Sequence, residues 1–196
     1  MGPWISPGAP ACTRRPTLRV TAGPSCSRRQ ARATQSSSQS DERKDETMVQ
    51  NPPEGNQRII PYLAYADGPA AVEFLCRVYG FEAGTQLDMG DGVLGHAELH
   101  LDDNVVFLAT AFDEMGLASP QSLSAVHGQV MVYVDDVDAH YEHARGAGAE
   151  ITEEIADQFY GDRSYRTVDL EGHQWVFTQH IRDVTPEEMA AAAADM

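Results

Sequence analysis

The chain has 196 residues, 14 Lys and Arg against 30 Asp and Glu, and a formal net charge of -16, a length for one ordinary domain or two small ones of roughly 100 residues. The charge is uneven: residues 1–47 hold eight bases and four acids, whereas residues 48–196 hold six arginines and 26 acids, a net of -20, and Lys44 is the only lysine. A body this acidic repels phosphate backbones and anionic bilayers, and no apolar run nears the ~18 residues of a membrane span, the longest lying near Val105–Phe112, so neither nucleic acid nor membrane is expected as a partner.

Residues 1–47 are rich in Ser, Arg, Pro and Gly and lack hydrophobic periodicity, a composition that cannot bury a core. Two readings stay open. The segment is translated leader ahead of a true start at Met48, the favoured reading, or it is an Arg- and Ser-rich organelle transit peptide. The three cysteines, Cys12, Cys26 and Cys76, show neither metal-ligand spacing nor a disulfide framework, which points to a reducing, cytoplasmic setting. Cys76 lies in an apolar helical pattern and reads as a small core residue. A lysine-free acidic surface is also the composition of proteins adapted to high salt, which accounts for the charge without any ligand.

Ile59–Ala66 alternates as a strand and ends at Asp67-Gly68-Pro69, a turn and helix-start signal. Ala71, Phe74, Leu75, Val78 and Tyr79 then fall at helical spacing and Gly80 stops the helix. His96–Leu101 and Val105–Thr110 read as strands joined by the hairpin turn Asp102-Asp103-Asn104. The order then repeats. Gln129–Val134 is a strand, Asp135-Asp136 its end, and Val137, Tyr141 and Ala144 the inward stripe of a helix closed by Gly146 and Gly148. Strands follow near Glu150–Ile155, Ser164–Asp169 and Trp175–His180. Asp67 and Asp136 mark equivalent points 69 residues apart, and a repeat of this length is one supersecondary unit used twice. The fold class is α+β: two tandem βαβββ modules, residues 59–112 and 127–181 within a single domain of residues 48–182, packed as a curved mixed sheet. Helices cover the convex face and the concave face forms a cleft. Residues 183–196 are a tail with a short helix, opened by the capping box Thr185-Pro186-Glu187-Glu188.

The order of elements resembles the vicinal oxygen chelate superfamily of glyoxalase I, bleomycin-resistance proteins and extradiol dioxygenases. The resemblance rests on Pro61-Tyr62-Leu63, Asp67, Ala71-Val72-Glu73-Phe74-Leu75 and Tyr79-Gly80-Phe81 in the first half. In the second half it rests on Val134 to Ala139, Gly146-Ala147-Gly148-Ala149, Gln158 to Arg163, and Asp169 with Gly172-His173-Gln174-Trp175. Metal-using members place His, Gln or Glu at four inward positions, which here land on Ile60, Gln129, Val176 and, by aligning Val105-Val106-Phe107 with Trp175-Val176-Phe177, Val106. Three of the four are aliphatic and hold no cation. No metal and no cofactor are therefore expected.

In His96-Ala97-Glu98-Leu99-His100 the two imidazoles and the carboxylate share one strand face. With His127 from another strand they offer a non-standard metal site, although such a row is more often the solvated side of a strand. His140 and His143 flank the core stripe of the second helix and read as surface residues. If Val130, Val132 and Val134 face the helices, then Gln129, Met131 and Tyr133 line the cleft. Ile60 and Tyr62 join them from the first strand, and Val176, Thr178 and His180 from the last. Tyr160, Arg163 and Arg166 border the same cleft, with Arg163 able instead to pair a local acid, and Trp175 falls on the core parity.

Two functions follow. The favoured one is a metal-independent protein of the bleomycin-resistance type, which binds a small amphipathic molecule; the resemblance implies ligands that are often cationic, and an acidic body suits them. The alternative is a glyoxalase-like lyase or isomerase in which Glu98 or His127 removes a proton next to a carbonyl. The resemblance also implies a homodimer.

Overall fold

The computed structural model describes residues 51–194 apart from residues 55, 113 and 115; the leader expected at residues 1–47 lies outside the described residues. The first module runs β1 (Tyr62–Tyr65), α1 (Gly68–Tyr79), β2 (Glu82–Gly90), β3 (Val93–Leu101) and β4 (Asn104–Thr110). A short 3-10 turn, Pro120–Ser122, leads to the second module: β5 (Gln129–Tyr133), α2 (Val137–Gly146), β6 (Glu150–Asp157), β7 (Asp162–Val168) and β8 (Gln174–His180). The tail helix is α3 (Pro186–Ala194).

Each helix starts where a carboxylate can satisfy an orphan amide. Asp67 Oδ1 accepts from the Ala70 N–H at 3.0 Å and Asp136 Oδ1 from the Ala139 N–H at 2.9 Å. α1 buries Ala71, Val72, Leu75, Val78 and Tyr79, and stops at Gly80, whose φ of +76° suits a residue without Cβ. In α3 the capping box closes reciprocally, with Thr185 N–H donating to Glu188 Oε2 at 2.8 Å and Glu188 N–H to Thr185 Oγ1 at 3.2 Å.

The two modules repeat one topology. Strand-to-strand pairing stays within each module and gives two four-stranded mixed sheets, ordered β1-β4-β3-β2 and β5-β8-β7-β6. In each, the first and last strands of the module pair in parallel and the others antiparallel. The helix-covered faces of both sheets meet in one core, where Tyr65, Leu75, Tyr79, Leu99 and Leu108 of the first module join Tyr165, Trp175 and Phe177 of the second. Tyr79 lies between the modules, its ring centroid 5.6 Å from Trp175 and 5.0 Å from Phe177. Such aromatic pairs contribute ~0.5–1.5 kcal/mol each beyond their buried area.

Three local expectations change. β1 starts at Tyr62 rather than Ile59 because Pro61 has no N–H to donate; its carbonyl still accepts from Phe107 N–H at 2.9 Å. Pairing puts Tyr62 beside Phe107 and Met131 beside Val176, so Phe107, not Val106, is the equivalent of Val176. Val106 faces the core, 7% exposed, because a one-residue slip in alignment moves a strand residue to the other face. His140 is no surface residue: its Nδ1 is 2.7 Å from Tyr165 Oη, its Nε2 is 3.2 Å from the Tyr79 carbonyl, and its ring lies tilted over Phe177, centroids 4.2 Å apart. The seam between modules runs along that flank of α2 and buries it.

Candidate functional site

Strand alternation places two rows of side chains on the sheet faces turned away from the helices. On the first sheet the row is Tyr62, Phe107, His96, Glu98 and His100. Tyr62 Oη lies 3.3 Å from His96 Nδ1, and the Tyr62 and His96 rings meet Phe107 edge-on at 6.0 and 4.7 Å. Glu98 stands between two imidazoles, with Oε1 3.6 Å from His96 Nε2 and Oε2 3.8 Å from His100 Nε2. All three polar side chains are half-buried, open to a ligand yet partly shielded from water. Chemically the row can stack a planar group and take up or hold a positive charge or a proton.

The second sheet carries Gln129, Met131, Tyr133, Val176, Thr178 and Arg166. Arg166 donates from Nη1 to Gln129 Oε1 at 3.1 Å and pairs through Nε with Glu153 Oε2 at 2.8 Å. Gln129, Glu153 and Arg166 line a cavity of about 210 Å3 with Gln174. At the other end of the face, the carboxylate of buried Asp162 accepts from Tyr133 Oη at 3.0 Å and Thr178 Oγ1 at 3.5 Å, and its Oδ1 lies 2.8 Å from His180 Nδ1. His180 Nε2 is 3.1 Å from Asp183 Oδ1, and the two hydrogen-bonded carboxylates push the imidazole pKa up.

Tyr62 and His96 are thus brought together with Glu98, and Gln129, Met131, Val176 and Arg166 with one another. Among the described residues no hydrogen bond or ion pair joins one row to the other; both are open at Tyr62, 43% exposed, Met131, 49%, and Tyr133, 60%, whereas Val176 and Thr178 are buried beneath the second row. Four expected residues stand elsewhere. Arg163 faces the helix side, where its guanidinium takes Asp138 at 2.8 Å and Asp157 at 2.6 Å. Its hydrogen bonds to those two carboxylates hold its pKa above the usual range. His127 is exposed in the loop before β5 and does not join Glu98. Tyr160 packs against Phe159, centroids 5.2 Å apart, in the β6–β7 loop, and Ile60 is half-buried just ahead of β1.

The metal used by members of the superfamily that the sequence resembles does not fit these residues. With the register corrected, its four positions hold Ile60, Phe107, Gln129 and Val176. A divalent cation needs three or four N, O or S donors converging at ~2.0–2.6 Å, and one amide is far short of that. Nor does any group of three or more His, Cys, Asp or Glu side chains assemble in ligating geometry among the described residues, the His96–Glu98–His100 row included.

The chain matches the family described as the glyoxalase/bleomycin resistance protein/dioxygenase superfamily over residues 58–177. Uncharacterized proteins of Mycobacterium bovis and Mycobacterium tuberculosis are 30% identical over 137 residues, which is 68% of this chain and 90% and 81% of theirs. Among solved structures, TioX from Micromonospora sp. ML1 is 33% identical with a TM-score of 0.52, covering 64% of this chain and 99% of its own. A protein from Pseudomonas aeruginosa has the same TM-score and coverage at 16% identity, a likeness of fold alone.

Proposed function

Because the chain belongs to the glyoxalase/bleomycin resistance protein/dioxygenase superfamily, we propose that it binds a small amphipathic molecule on the concave faces of its sheets without a metal ion. The observation that carries this reading is the chemistry of the four superfamily ligand positions, three of them apolar and the fourth a glutamine. In their place the faces present rings and a few hydrogen-bonding groups: Tyr62, Phe107 and His96 on one sheet, Met131, Tyr133 and Arg166 on the other. Such a surface holds an amphipathic molecule by burying apolar area at ~25 cal/mol per Å2 with polar contacts to orient it. The excess of carboxylates favours a cationic group on that molecule. Each sheet offers an open half of a lining, and we infer that a second copy of the chain supplies the facing half, giving a homodimer. Nucleic acid and membrane are not among the partners proposed; no helix of the described residues is long and apolar enough to cross a bilayer.

A lyase or isomerase is the second reading, favoured by one observation: Glu98 is held between two imidazoles, a setting for a general base. His127 stands outside that group, so Glu98 carries this reading alone. Metal analysis separates the two. Protein purified from cells grown with Zn, Ni, Mn and Fe is expected to hold no stoichiometric metal and to melt at the same temperature with and without chelator. One tightly held equivalent, lost in His96→Ala or Glu98→Ala, would replace the binder with a metal-dependent enzyme.

A further inference from the structure

The modules meet at equivalent places with unequal results. In β1, Pro61 and Tyr65 point their carbonyls to β4, accepting from Phe107 and Ala111 N–H at 2.9 and 2.7 Å. Tyr62, Ala64 and Ala66 therefore turn their backbone groups to the free edge. The β7–β8 turn closes that edge. Glu171 accepts from the Ala66 and Asp67 N–H groups at 2.6 and 2.8 Å and from the Ser119 hydroxyl, and His173 Nε2 lies 3.0 Å from the Ala64 carbonyl.

β5 repeats the pattern 69 residues later. Val134 N–H donates to the Thr178 carbonyl at 2.9 Å, and with the parallel register this commits Val130 and Val132 to β8. The N–H and C=O groups of Met131 and Tyr133 point away from the sheet. The residues equivalent to Glu171 and His173 are Asp102 and Asn104, yet among the described residues no hydrogen bond runs from either to β5. Between them lies a cavity of about 330 Å3 in the seam. Buried Phe81 and Val106 line it together with Pro61, Val130 and Val132, and Gln57, Asp102 and Asn104 supply its polar lining. One edge is sealed by side chains; its counterpart is a largely apolar hole beside backbone donors and acceptors that have no partner among the described residues.

We propose that this seam is a second binding site, independent of the concave faces, for a short peptide-like molecule without a free carboxylate. One extended residue flanked by two amides presents its N–H and C=O at the spacing of the Met131 N–H and C=O, and adds to β5 as a half-strand. Its apolar side chain enters the cavity, whose volume lies at the lower end of small-molecule sites and limits the ligand to a residue or two. The Asp102 carboxylate and the acidic body exclude a free carboxylate there, so the carboxyl end of the ligand is blocked.

The test uses N-acetyl-valyl-leucine N-methylamide, titrated into the 15N-labelled full chain to about 10 mM. Expected are saturable shifts of the Met131 and Tyr133 amides and of the Val106, Val130 and Val132 methyls, with Tyr62 and His96 unmoved. Met131→Pro removes an outward N–H that the β8 ladder does not use, and is expected to weaken binding roughly tenfold or more. A probe methylated on the leucine nitrogen removes the reciprocal bond, from the ligand N–H to the Met131 carbonyl, and needs no altered protein. No saturable shift, shifts confined to Tyr62 and His96, or equal affinity for the methylated probe would each overturn the proposal. So would Met131 shifts that follow protein concentration without probe, which would give this edge to a second copy of the chain.

Discussion

His140 sits where α2 crosses the last turn of α1, with Tyr165 Oη on one ring nitrogen and the Tyr79 carbonyl on the other. Burial lowers its pKa; the hydrogen bond to Tyr79 pulls it part of the way back, and the neighbouring His143, itself 3.1 Å from the Arg77 carbonyl, lowers it further. The folded chain therefore keeps this imidazole neutral at a pH where the unfolded chain protonates it. Its contribution to stability is complete above the ordinary histidine value of ~6.5 and is lost as pH falls through it. His180 has the opposite sign, its raised pKa adding stability as pH falls, so the measurement must be a difference. The gap in unfolding free energy between the wild type and His140→Gln is expected to narrow from about pH 8 to about pH 5.5. A gap that does not change over that range would place the proton elsewhere. The arginines carry a second lesson at this scale. Arg163 and Arg166 are three residues apart on β7, and a strand puts such a pair on opposite faces; alternation alone thus sends Arg163 to the helix side, to Asp138 and Asp157.

Elements are held by a few points that side-chain periodicity does not show. Gly161, at the turn into β7, has φ of +100°, and its carbonyl accepts from Ile181 and Arg182 N–H at 3.0 and 3.1 Å. A Cβ there would fall 2.2 Å from the Arg182 carbonyl oxygen. Gly161→Ala is thus expected to destabilise by ~1–3 kcal/mol or more through backbone strain and lost tail contacts. Chemical denaturation checks it, and an unchanged midpoint would mean that the tail does not need this turn. Both helices and most strands were legible in the sequence because their apolar residues recur at 3.6 or 2 and their ends carry Asp caps and glycines. β2 was not: Glu82–Gly90 is an exposed edge strand with register shifts against β3, so neither of its faces writes an apolar alternation. The site was legible in part. Applying the 69-residue offset to Val176 gives Phe107, which corrects the slipped alignment through Val106, whereas the closure by Glu171 and His173 joins residues more than 100 positions apart and leaves no local pattern.

At the scale of the whole molecule, the repeat matters most through where its two copies differ. Glu98 pairs with Phe107 and Arg166 with Val176, so the acid of one concave face and the base of the other occupy equivalent registers. A second copy that sets one face against the other therefore brings unlike charges toward each other at the centre. Around them, however, each body carries 26 acids and six arginines. One partly exposed pair contributes only ~0–1 kcal/mol, whereas the like charges repel over a Debye length of ~30 Å at 0.01 M salt and ~3 Å at 1 M. Net repulsion decides at low salt, and what remains once it is screened is burial of apolar surface such as Tyr62, Met131 and Tyr133. Sedimentation velocity is accordingly expected to show a monomer–dimer equilibrium that moves toward dimer as salt rises from about 0.01 M to 1 M. Glu98→Gln should leave the direction of that shift unchanged. Dissociation on adding salt would mean that attraction between the two faces, Glu98 toward Arg166 foremost, holds the pair together in place of apolar contact.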